Sequence, residues 1–227
     1  MRQHTVHTPY KFGEAHFYST EINGELVLFD TGPPTPEAFA GLKSEVDLSR
    51  LKYLFITHCH MDHFGLASAI AAECDAEILL PRKDITRLRR SEESIARLGQ
   101  FLAMYGFDNG FVDNFVAWFR ENFTRPVDTE RFRIVEESDV PEKLGVTCLG
   151  MPGHSQSDMV YLCGTNAITG DILLRDIFQV PLLYVDLEDV ADRFNNYDAY
   201  CASIPKLQKL RDYTILPGHS RYVPGVD

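Results

Sequence analysis

Four side chains that can bind a metal ion are crowded into six positions of the segment THCHMDHFG, residues 57–65. They are His58, His60, Asp62 and His63. His58 and His60 are two positions apart, so in an extended segment both rings project to the same side. Imidazole and carboxylate together suit zinc, iron or manganese rather than calcium. The segment therefore predicts a transition-metal site.

The elements around this segment must place its side chains at one end of a sheet. LKYLFIT, residues 51–57, is a continuous apolar run, which is typical of a strand covered on both faces. It leads straight into the histidine segment, and a small-residue helix, GLASAIAAEC, and a strand, AEILLP, follow. A strand–loop–helix–strand order indicates a layered α/β architecture. In such folds, metal and substrate sites collect in loops at the carboxyl ends of strands.

The rest of the chain continues this alternation of strands and helices. AHFYST and ELVLFD predict two strands joined by a tight turn at Asn23-Gly24, a common hairpin signal. One helix is predicted over residues 37–44 and another over residues 197–211. The remaining predicted strands are RFRIVE, GVTCLGM, MVYLCG, NAITG and the last one, YTILPGH.

Three more metal-capable side chains follow predicted strands elsewhere in the chain. His154 stands in the glycine-containing turn of MPGHSQSD, and His219 stands in the similar turn of LPGHS. Asp171 comes directly after an apolar strand in AITGD. Each signal is weak alone, because Gly-His at a strand end is common. Together they place three further donors at strand ends, where the first segment also lies.

Five short motifs, taken in order, resemble those of the metallo-β-lactamase superfamily. They are Asp30-Thr31-Gly32, His58-x-His60-x-Asp62-His63, Gly153-His154-Ser155, Gly170-Asp171 and Pro217-Gly218-His219. Their combination is far more specific than any one of them. The resemblance implies a single α/β domain, residues 1–227, folded as an αββα four-layer sandwich. Two mixed sheets would lie between outer helices, with the metals at one edge.

The resemblance also implies a role for each metal-capable side chain. His58, His60 and His154 are the implied ligands of the first metal. Asp62, His63 and His219 are those of the second metal, and Asp171 bridges the two. Asp30 is expected to orient a ligand histidine rather than to bind a metal itself. Cys59 and Met61 are expected to point away from the metals and to pack.

Two divalent metal ions are therefore the expected cofactor, with zinc first and iron or manganese as alternatives. A pair of metals can share a hydroxide, made by lowering the pKa of bound water towards neutrality. This metal-bound hydroxide attacks a carbonyl or phosphoryl centre while a metal polarises the substrate oxygen. Asp62 is the candidate catalytic residue that orients the nucleophile and passes a proton to the leaving group.

Composition and motif details narrow the reaction within this superfamily. The formal net charge of −11 and the lack of a basic arm argue against a nuclease and against a nucleic-acid partner. Asp171 argues against a true β-lactamase, because those enzymes generally lack this bridging carboxylate. The function predicted first is hydrolysis of a small ester, thioester or lactone with an apolar portion. Two alternatives stay open: a mononuclear iron-dependent persulfide dioxygenase, and a regulatory or binding protein with vestigial hydrolase activity.

Residues 82–124 interrupt the sheet pattern with a helical insertion that is predicted to shape the substrate pocket. The insertion is rich in aromatic residues, which either line an apolar channel or bury the insertion's own helices. The sequence supports both uses equally. The candidates for substrate binding are Phe107, Phe111 and Trp118 as pocket walls, and Arg175 and Tyr184 as partners of a substrate carboxylate or oxyanion.

The remaining features concern charge and surroundings. The basic run PRKDITRLRR, residues 81–90, favours a solvated helix face over an anion-binding patch. Five scattered cysteines without a CxxC pair predict no disulfide framework and favour a reducing cytoplasm. No apolar run reaches the length of a membrane span, and no signal peptide is evident. We expect a cytoplasmic protein with a small-molecule substrate and no membrane partner, and with a homodimer as a candidate assembly.

Overall fold

The computed structural model describes residues 1–10, 13–123, 128–177 and 183–221, without the side chains of residues 122 and 123. Two β-sheets are present in this part of the chain. The six-stranded sheet follows chain order: β1 (Arg2–His7), β2 (Glu14–Ile22), β3 (Glu25–Phe29), β4 (Leu51–Phe55), β5 (Glu77–Leu80) and β6 (Phe132–Ile134). The pairs β1–β2 and β2–β3 are antiparallel, and the pairs from β3 to β6 are parallel.

The second sheet has four strands, and the last strand of the chain lies at its edge. Its spatial order is β10 (Thr214–Pro217), β9 (Asn166–Gly170), β8 (Met159–Cys163) and β7 (Val146–Gly150). β10 pairs with β9 in parallel, and the other pairs are antiparallel. Both sheets are therefore mixed, as predicted.

Helices flank and interrupt these strands. The α-helices are α1 (Pro36–Glu45), α2 (Met61–Phe64), α3 (Ala67–Glu73), α4 (Arg82–Arg89), α5 (Ser91–Met104), α6 (Asn109–Phe123), α7 (Val140–Leu144) and α8 (Asn196–Ser203). Three 3-10 helices span Thr129–Arg131, Val135–Glu137 and Ile204–Leu210. Among the helices of the described residues, none combines the length and the apolar composition that crossing a bilayer requires.

The predicted hairpin joins β2 to β3. Its two-residue turn is Asn23-Gly24, with φ of 54° and 84°. A left-handed backbone at both positions matches the right-handed twist of the flanking strands, and asparagine and glycine adopt it at little cost. The turn sets the register, which pairs Ile22 with Glu25 and Tyr18 with Phe29.

The two sheets pack face to face around an aromatic core. Phe29 and Phe55 of the first sheet stack with ring centroids 5.3 Å apart, and both rings contact Tyr161 of the second sheet. Alternate residues of each strand point to opposite faces, so the other side of each sheet is free to bury a second apolar layer. Burial of one such large apolar side chain contributes roughly 1.5–3 kcal/mol to folding.

Helices cover the outer face of each sheet. α1 and α3 supply Leu42 and Ile70 to a cluster with Leu54 of the first sheet. On the second sheet, Leu210 of the last 3-10 helix packs with Ile215. The order of layers is helix, sheet, sheet and helix, which confirms the predicted αββα sandwich.

The structure differs from the predicted elements in three places. The helix predicted over residues 197–211 ends as an α-helix at Ser203 and continues as the 3-10 helix Ile204–Leu210. Pro205 lies at the start of this second piece, and proline lacks the N–H that the α-helical bond needs. RFRIVE forms only the short strand β6 before a 3-10 turn. The N-terminal strand β1 was not among the predicted strands.

Two buried tyrosines tie each sheet to a strand end of the other. The Tyr18 hydroxyl on β2 donates to the carbonyl of Pro217, two residues before His219, at 2.6 Å. The Tyr161 hydroxyl on β8 donates to the carbonyl of Ile56, two residues before His58, at 2.7 Å. Because both bonds are shielded from water, they fix the two sheets relative to each other near the predicted metal site.

Candidate metal centre

The loops after four strands meet at one edge of the sandwich and bring the predicted ligands together. Three overlapping groups have donor atoms that all lie within 4.8 Å of one another. They are His58, His60 and His154; Asp62, His63 and His219; and His58, His63 and Asp171. The seven side chains that the sequence indicates are thus neighbours in space, although 161 positions separate the first from the last (219 − 58).

The first group is a triad of imidazoles. Nε2 of His58 lies 3.1 Å from Nδ1 of His60, and Nε2 of His154 lies 2.9 Å from that same Nδ1. Three ring nitrogens at such distances repel one another when each carries a lone pair. A cation at the centre removes this repulsion, and tetrahedral zinc takes nitrogen donors of this kind.

The second group combines two imidazoles with a carboxylate. Nε2 of His219 lies 3.0 Å from Oδ2 of Asp62, and Nε2 of His63 lies 3.6 Å from the same oxygen. All three side chains are buried. A mixed nitrogen and oxygen set is suited to zinc, iron or manganese.

The Asp171 carboxylate lies between the two groups. Its Oδ1 is 3.3 Å from Nε2 of His63. Its Oδ2 is 3.4 Å from Nε2 of His154 and 3.5 Å from Nε2 of His219. One carboxylate therefore contacts the donors of both groups, as a bridging ligand requires.

The partners of the outer ring nitrogens indicate which nitrogen of each histidine carries the proton. Nδ1 of His58 lies 3.1 Å from Oγ1 of Thr57, whose own proton is donated to Asp30. Nε2 of His60 lies 2.8 Å from the Tyr184 hydroxyl. Because Thr57 donates its only hydroxyl proton to Asp30, Nδ1 of His58 must donate to Thr57, and Nε2 of His58 keeps its lone pair towards the cluster. The Tyr184 hydroxyl can accept from Nε2 of His60 in the same way, which is the arrangement that leaves Nδ1 of His60 to bind a metal.

The second group shows the same pattern with different partners. Nδ1 of His63 donates to Oδ2 of Asp30 at 3.0 Å, and Nδ1 of His219 donates to the carbonyl of Glu14 at 2.6 Å. Asp30 also accepts from the backbone N–H and the hydroxyl of Thr57, each at 2.8 Å. Asp30 thus orients one histidine directly and a second, His58, through Thr57.

The local backbone explains why Asp30 reaches both loops. Asp30 has φ of 60°, a left-handed turn directly after β3, and its N–H donates to the carbonyl of Phe55 at the end of β4. The next residue, Thr31, donates through both its N–H and its hydroxyl to the carbonyl of His63, each at 2.8 Å. This turn therefore holds the short helix α2 in place.

The electrostatics of the two groups differ. In the first, burial and neighbouring imidazoles lower the pKa of His58 and of His60 well below its usual range. The pKa of His154 is lowered too, mainly by burial. These rings are neutral at physiological pH, which is the form that binds a metal.

In the second group, carboxylates overcome the effect of burial. Burial alone would lower the pKa of both histidines. The carboxylates of Asp171 and Asp62 instead hold the pKa of His63 well above its usual range and raise the pKa of His219 to about 9. Burial would raise the pKa of Asp171, yet the neighbouring His63 and His219 keep it well below its usual range. Without a metal, protons supply the positive charge here.

The residues present fit a metal cofactor. The buried Nε2 of His63 makes no hydrogen bond within the described residues, although it lies only 3.3 Å from Oδ1 of Asp171. An unbonded polar atom at this depth is costly unless a further partner is supplied. The converging lone pairs and the carboxylate between them match the predicted pair of metal ions.

An apolar cavity of about 770 Å³ lies beside this cluster. Its walls come from the start of α1, from α2 and α3, from the insertion and from residues 183–187. The seven candidate ligands do not line it; Tyr184 does, and its hydroxyl contacts His60. Cys59 and Met61 point into the cavity and not to the cluster, as the sequence indicates for their direction. Tyr184 therefore separates the cavity from the metal-binding atoms.

The three predicted pocket-wall residues lie outside the cavity. Phe107, Phe111 and Trp118 are about half exposed, and they are not among the residues that line the cavity. Phe107 stacks on Phe111, which stacks in turn on Phe115. The stripe follows helical spacing, and spacing alone cannot tell the inner face of α6 from the outer one.

The inner face of the insertion both lines the cavity and buries the insertion's own helices, the two roles that the sequence leaves open. Phe101 and Leu98 pack with Val185, and Phe115 and Phe119 cover this cluster. Phe119 and Leu98 also line the cavity. The insertion's aromatic side chains thus stabilise its own helices and, at Phe119, form a wall.

The other two candidates for substrate binding, Tyr184 and Arg175, lie in different places. Tyr184 lies between the cavity and His60. Arg175 lies on the surface, where its Nε is 3.7 Å from Oδ2 of Asp176. Its carbonyl accepts the hydroxyl of Ser220, so it braces the loop beside His219.

Sequence reasoning missed three residues that hold the metal loops. The Thr57 hydroxyl links Asp30 to His58 by two hydrogen bonds. In the sequence, only the position of Thr57 directly before His58 points to this role. Asp84, on α4, accepts the backbone N–H of Cys59 at 3.0 Å and so ties the insertion to the histidine loop. The partner of His219 is a backbone carbonyl, that of Glu14, which side-chain identity cannot reveal.

Comparison with known proteins identifies the family. The profile of the metallo-beta-lactamase superfamily matches residues 16–219, and the chain belongs to this superfamily. The match includes all seven candidate ligands and Asp30. The predicted family and its fold are confirmed, and the superfamily supports a metal-dependent hydrolase in broad terms.

Three relatives illustrate this membership. Over 239 residues the chain is 26% identical to the "probable metallo-hydrolase YqjP" of Bacillus subtilis (strain 168), covering 97% of this chain and 72% of the relative. The metallo-beta-lactamase family protein TTHA1429 from Thermus thermophilus superposes with a TM-score of 0.75 at 20% identity, over 98% of this chain and 75% of that one. TTHA1623, solved in a di-iron-bound form, superposes with a TM-score of 0.61 at 19% identity, over 97% of this chain and 94% of that one. The two structural likenesses support the fold.

Zinc binding to the metal-free protein is expected to release protons at pH 7. The pKa of His219 is raised to about 9 and that of His63 well above its usual range, so both imidazoles are protonated before the metal enters. Metal binding needs them deprotonated, so affinity for the second ion rises with pH up to about 9. Calorimetric titration in buffers of different ionisation enthalpy measures the protons released. A binding heat that does not depend on the buffer would contradict this assignment.

Proposed function

We propose that the chain is a dinuclear metal-dependent hydrolase that acts on a small ester, thioester or lactone with an apolar portion. The observation that carries the proposal is the position of Asp171. Its two carboxylate oxygens contact the donor atoms of both groups, at 3.3 to 3.5 Å from His63, His154 and His219. Asp62, His63 and His219 form a second group that could hold a metal beside the first.

His58, His60 and His154 are the proposed ligands of one metal, and Asp62, His63 and His219 those of the other. Two divalent metal ions bound there supply Lewis-acid activation of water and of the substrate carbonyl. Zinc suits this donor set best, and manganese or iron is the alternative. The di-iron form of TTHA1623 supports keeping iron among the candidates.

The chain's own residues orient the donors and move the proton. Asp30 and the Glu14 carbonyl accept the outer N–H of His63 and of His219, and Thr57 accepts that of His58. In each case it is the inner nitrogen that is left to bind a metal, once His63 and His219 have lost the proton they carry there. Asp62 is the proposed catalytic carboxylate. Its Oδ2 lies 3.0 Å from His219 at the heart of the cluster, within reach of a water held there. It would orient that water and transfer its proton to the leaving group.

The neighbouring cavity supports an apolar substrate. Its volume of about 770 Å³ is in the range that small-molecule pockets occupy, and its walls include Leu98, Ile95 and Phe119 from the insertion. Residues 82–124 are thus proposed to shape the substrate pocket, although through the inner side chains rather than through Phe107, Phe111 and Trp118.

Two other functions are compatible with part of the site. A persulfide dioxygenase would bind one iron and use molecular oxygen instead of two metals and water, and a binding or regulatory protein would use the site without fast turnover. The intact donor set favours an enzyme over a binding protein. Metal analysis separates the two enzymes, since one iron per chain with oxygen uptake on a persulfide would favour the dioxygenase. The cytoplasmic location, the absence of a nucleic-acid partner and the homodimer stay predictions.

Replacement of Asp62 by asparagine is expected to lower kcat by about 10²-fold or more, because general acid–base groups contribute on this scale. The first metal should stay bound, since its triad is unchanged. The measurement is hydrolysis of p-nitrophenyl esters and of an acyl thioester, together with metal content by mass spectrometry. Asp75→Asn, an exposed change outside the site, is the control and should leave both values unaltered. Full activity of Asp62→Asn would exclude the catalytic role.

Two adjacent aromatic residues test whether the cavity holds the substrate. Phe119→Ala removes a ring from the cavity wall and so enlarges the cavity. It should raise KM for hexanoyl esters several-fold more than for acetyl esters, because apolar contact area with the acyl chain is lost. Trp118→Ala removes a half-exposed ring outside the cavity and should change neither KM. Steady-state kinetics of both variants, with circular dichroism to verify folding, gives the comparison. Equal effects on both esters would favour a packing role for Phe119.

A further inference from the structure

We propose that Arg87 makes the cavity selective for substrates that carry a carboxylate next to their apolar portion. This inference deepens the proposed hydrolase function and rests on it. It concerns the basic run of residues 81–90, whose sequence favours an ordinary solvated face. The structure separates one arginine of this run from the other cations.

Four of the five cations in the run are paired with surface glutamates. The pairs are Arg82 with Glu137, Lys83 with Glu188, Arg89 with Glu130 and Arg90 with Glu93. These pairs are largely exposed, as expected for a solvated helix face. The sequence interpretation therefore holds for them.

Arg87 faces the other way, into the cavity. No carboxylate of the residues that the structure describes lies within ion-pairing distance of its guanidinium. The guanidinium instead lies over the ring of Tyr184, 5.6 Å from the centroid. Its charge is felt by the buried carboxylate of Asp84, one turn earlier on α4, but the two groups form no direct ion pair. An arginine that lines a mostly apolar cavity without a direct ion pair leaves several N–H donors for a ligand.

The cavity face of the insertion changes character along its length. Arg87 is followed at helical spacing by Ser91 and Ser94, and then by Ile95 and Leu98, all of which line the cavity. The Ser94 hydroxyl oxygen is buried and makes no hydrogen bond within the described part of the chain. The wall thus has a polar end at Arg87 and an apolar end at Leu98.

The polar end is the one closest to the metal cluster. Tyr184 touches both Arg87 and His60, so one side chain separates the guanidinium from a candidate ligand.

A carboxylate fits this end better than a phosphate does. One guanidinium balances a single negative charge and binds both oxygens of a planar carboxylate in a fork. A phosphate dianion needs more donors than one arginine and two serine hydroxyls provide. The anionic group would lie within a few bonds of the scissile carbonyl, with the apolar portion directed towards Leu98.

Two esters of the same acyl length test the proposal on the metal-loaded protein. They are p-nitrophenyl pentanoate and mono-p-nitrophenyl glutarate, in which a carboxylate replaces the terminal methyl group. Arg87→Met should lower kcat/KM for the glutarate ester roughly 10- to 100-fold and for the pentanoate ester less than about 3-fold. Arg89→Met removes a cation paired with Glu130 on the solvent side and should change neither ester. Arg87→Lys should restore part of the glutarate activity, because it keeps the charge but not the fork.

Calorimetric binding of pentanoate, with pentanamide as the neutral reference, gives a readout that needs no turnover. Pentanoate should bind wild-type protein at least about 10-fold more tightly than Arg87→Met, while pentanamide does not distinguish them. Equal losses on both esters, or pentanoate binding that does not depend on Arg87, would overturn the proposal. If the wild-type protein hydrolyses no ester or thioester, the proposed hydrolase function fails, and calorimetry still decides the role of Arg87.

Discussion

The carboxylate of Asp30 is the group on which the geometry of the site depends. It lies in a left-handed turn after β3 and accepts hydrogen bonds from Thr57 and His63, which stand on either side of the histidine loop. Through Thr57 it also fixes the ring of His58. A single buried anion therefore sets the orientation of one candidate ligand for each metal. Its own backbone is held between β3 and β4, so the sheet determines where the donors point.

The cluster brings together nitrogen and oxygen atoms that repel one another or lack a hydrogen-bond partner. A positive charge at the centre is needed to stabilise this arrangement in the folded protein. In the first triad the rings are neutral and their lone pairs converge. In the second, protons on His63 and His219 can take the place of a cation. The rest of the sandwich, including the tyrosine hydrogen bonds between the sheets, resists the expansion that would relieve the crowding. Rigidity of the scaffold is therefore part of metal selectivity.

Much of the fold, and the clustering of the metal-capable side chains, could be predicted from sequence, because both rest on strong chemical restrictions. Buried strands need apolar runs, and a metal ligand must be one of very few residue types. The Asn23-Gly24 turn is equally restrictive. Most of the side chains that line the cavity rest on weaker restrictions and could not be picked from the sequence. Phe119 lines the cavity and its neighbour Trp118 does not, a difference of one residue on a helix whose orientation depends on tertiary packing. Arg87 could not be singled out within its basic run for the same reason.

Anomalous diffraction at the zinc edge, from crystals soaked in zinc, tests the central claim of a two-metal site most directly. Two peaks are expected roughly 3.5–4 Å apart, one on each side of the Asp171 carboxylate. One should lie among His58, His60 and His154, and the other beside His63. A single peak, or two peaks that do not share Asp171, would contradict the claim.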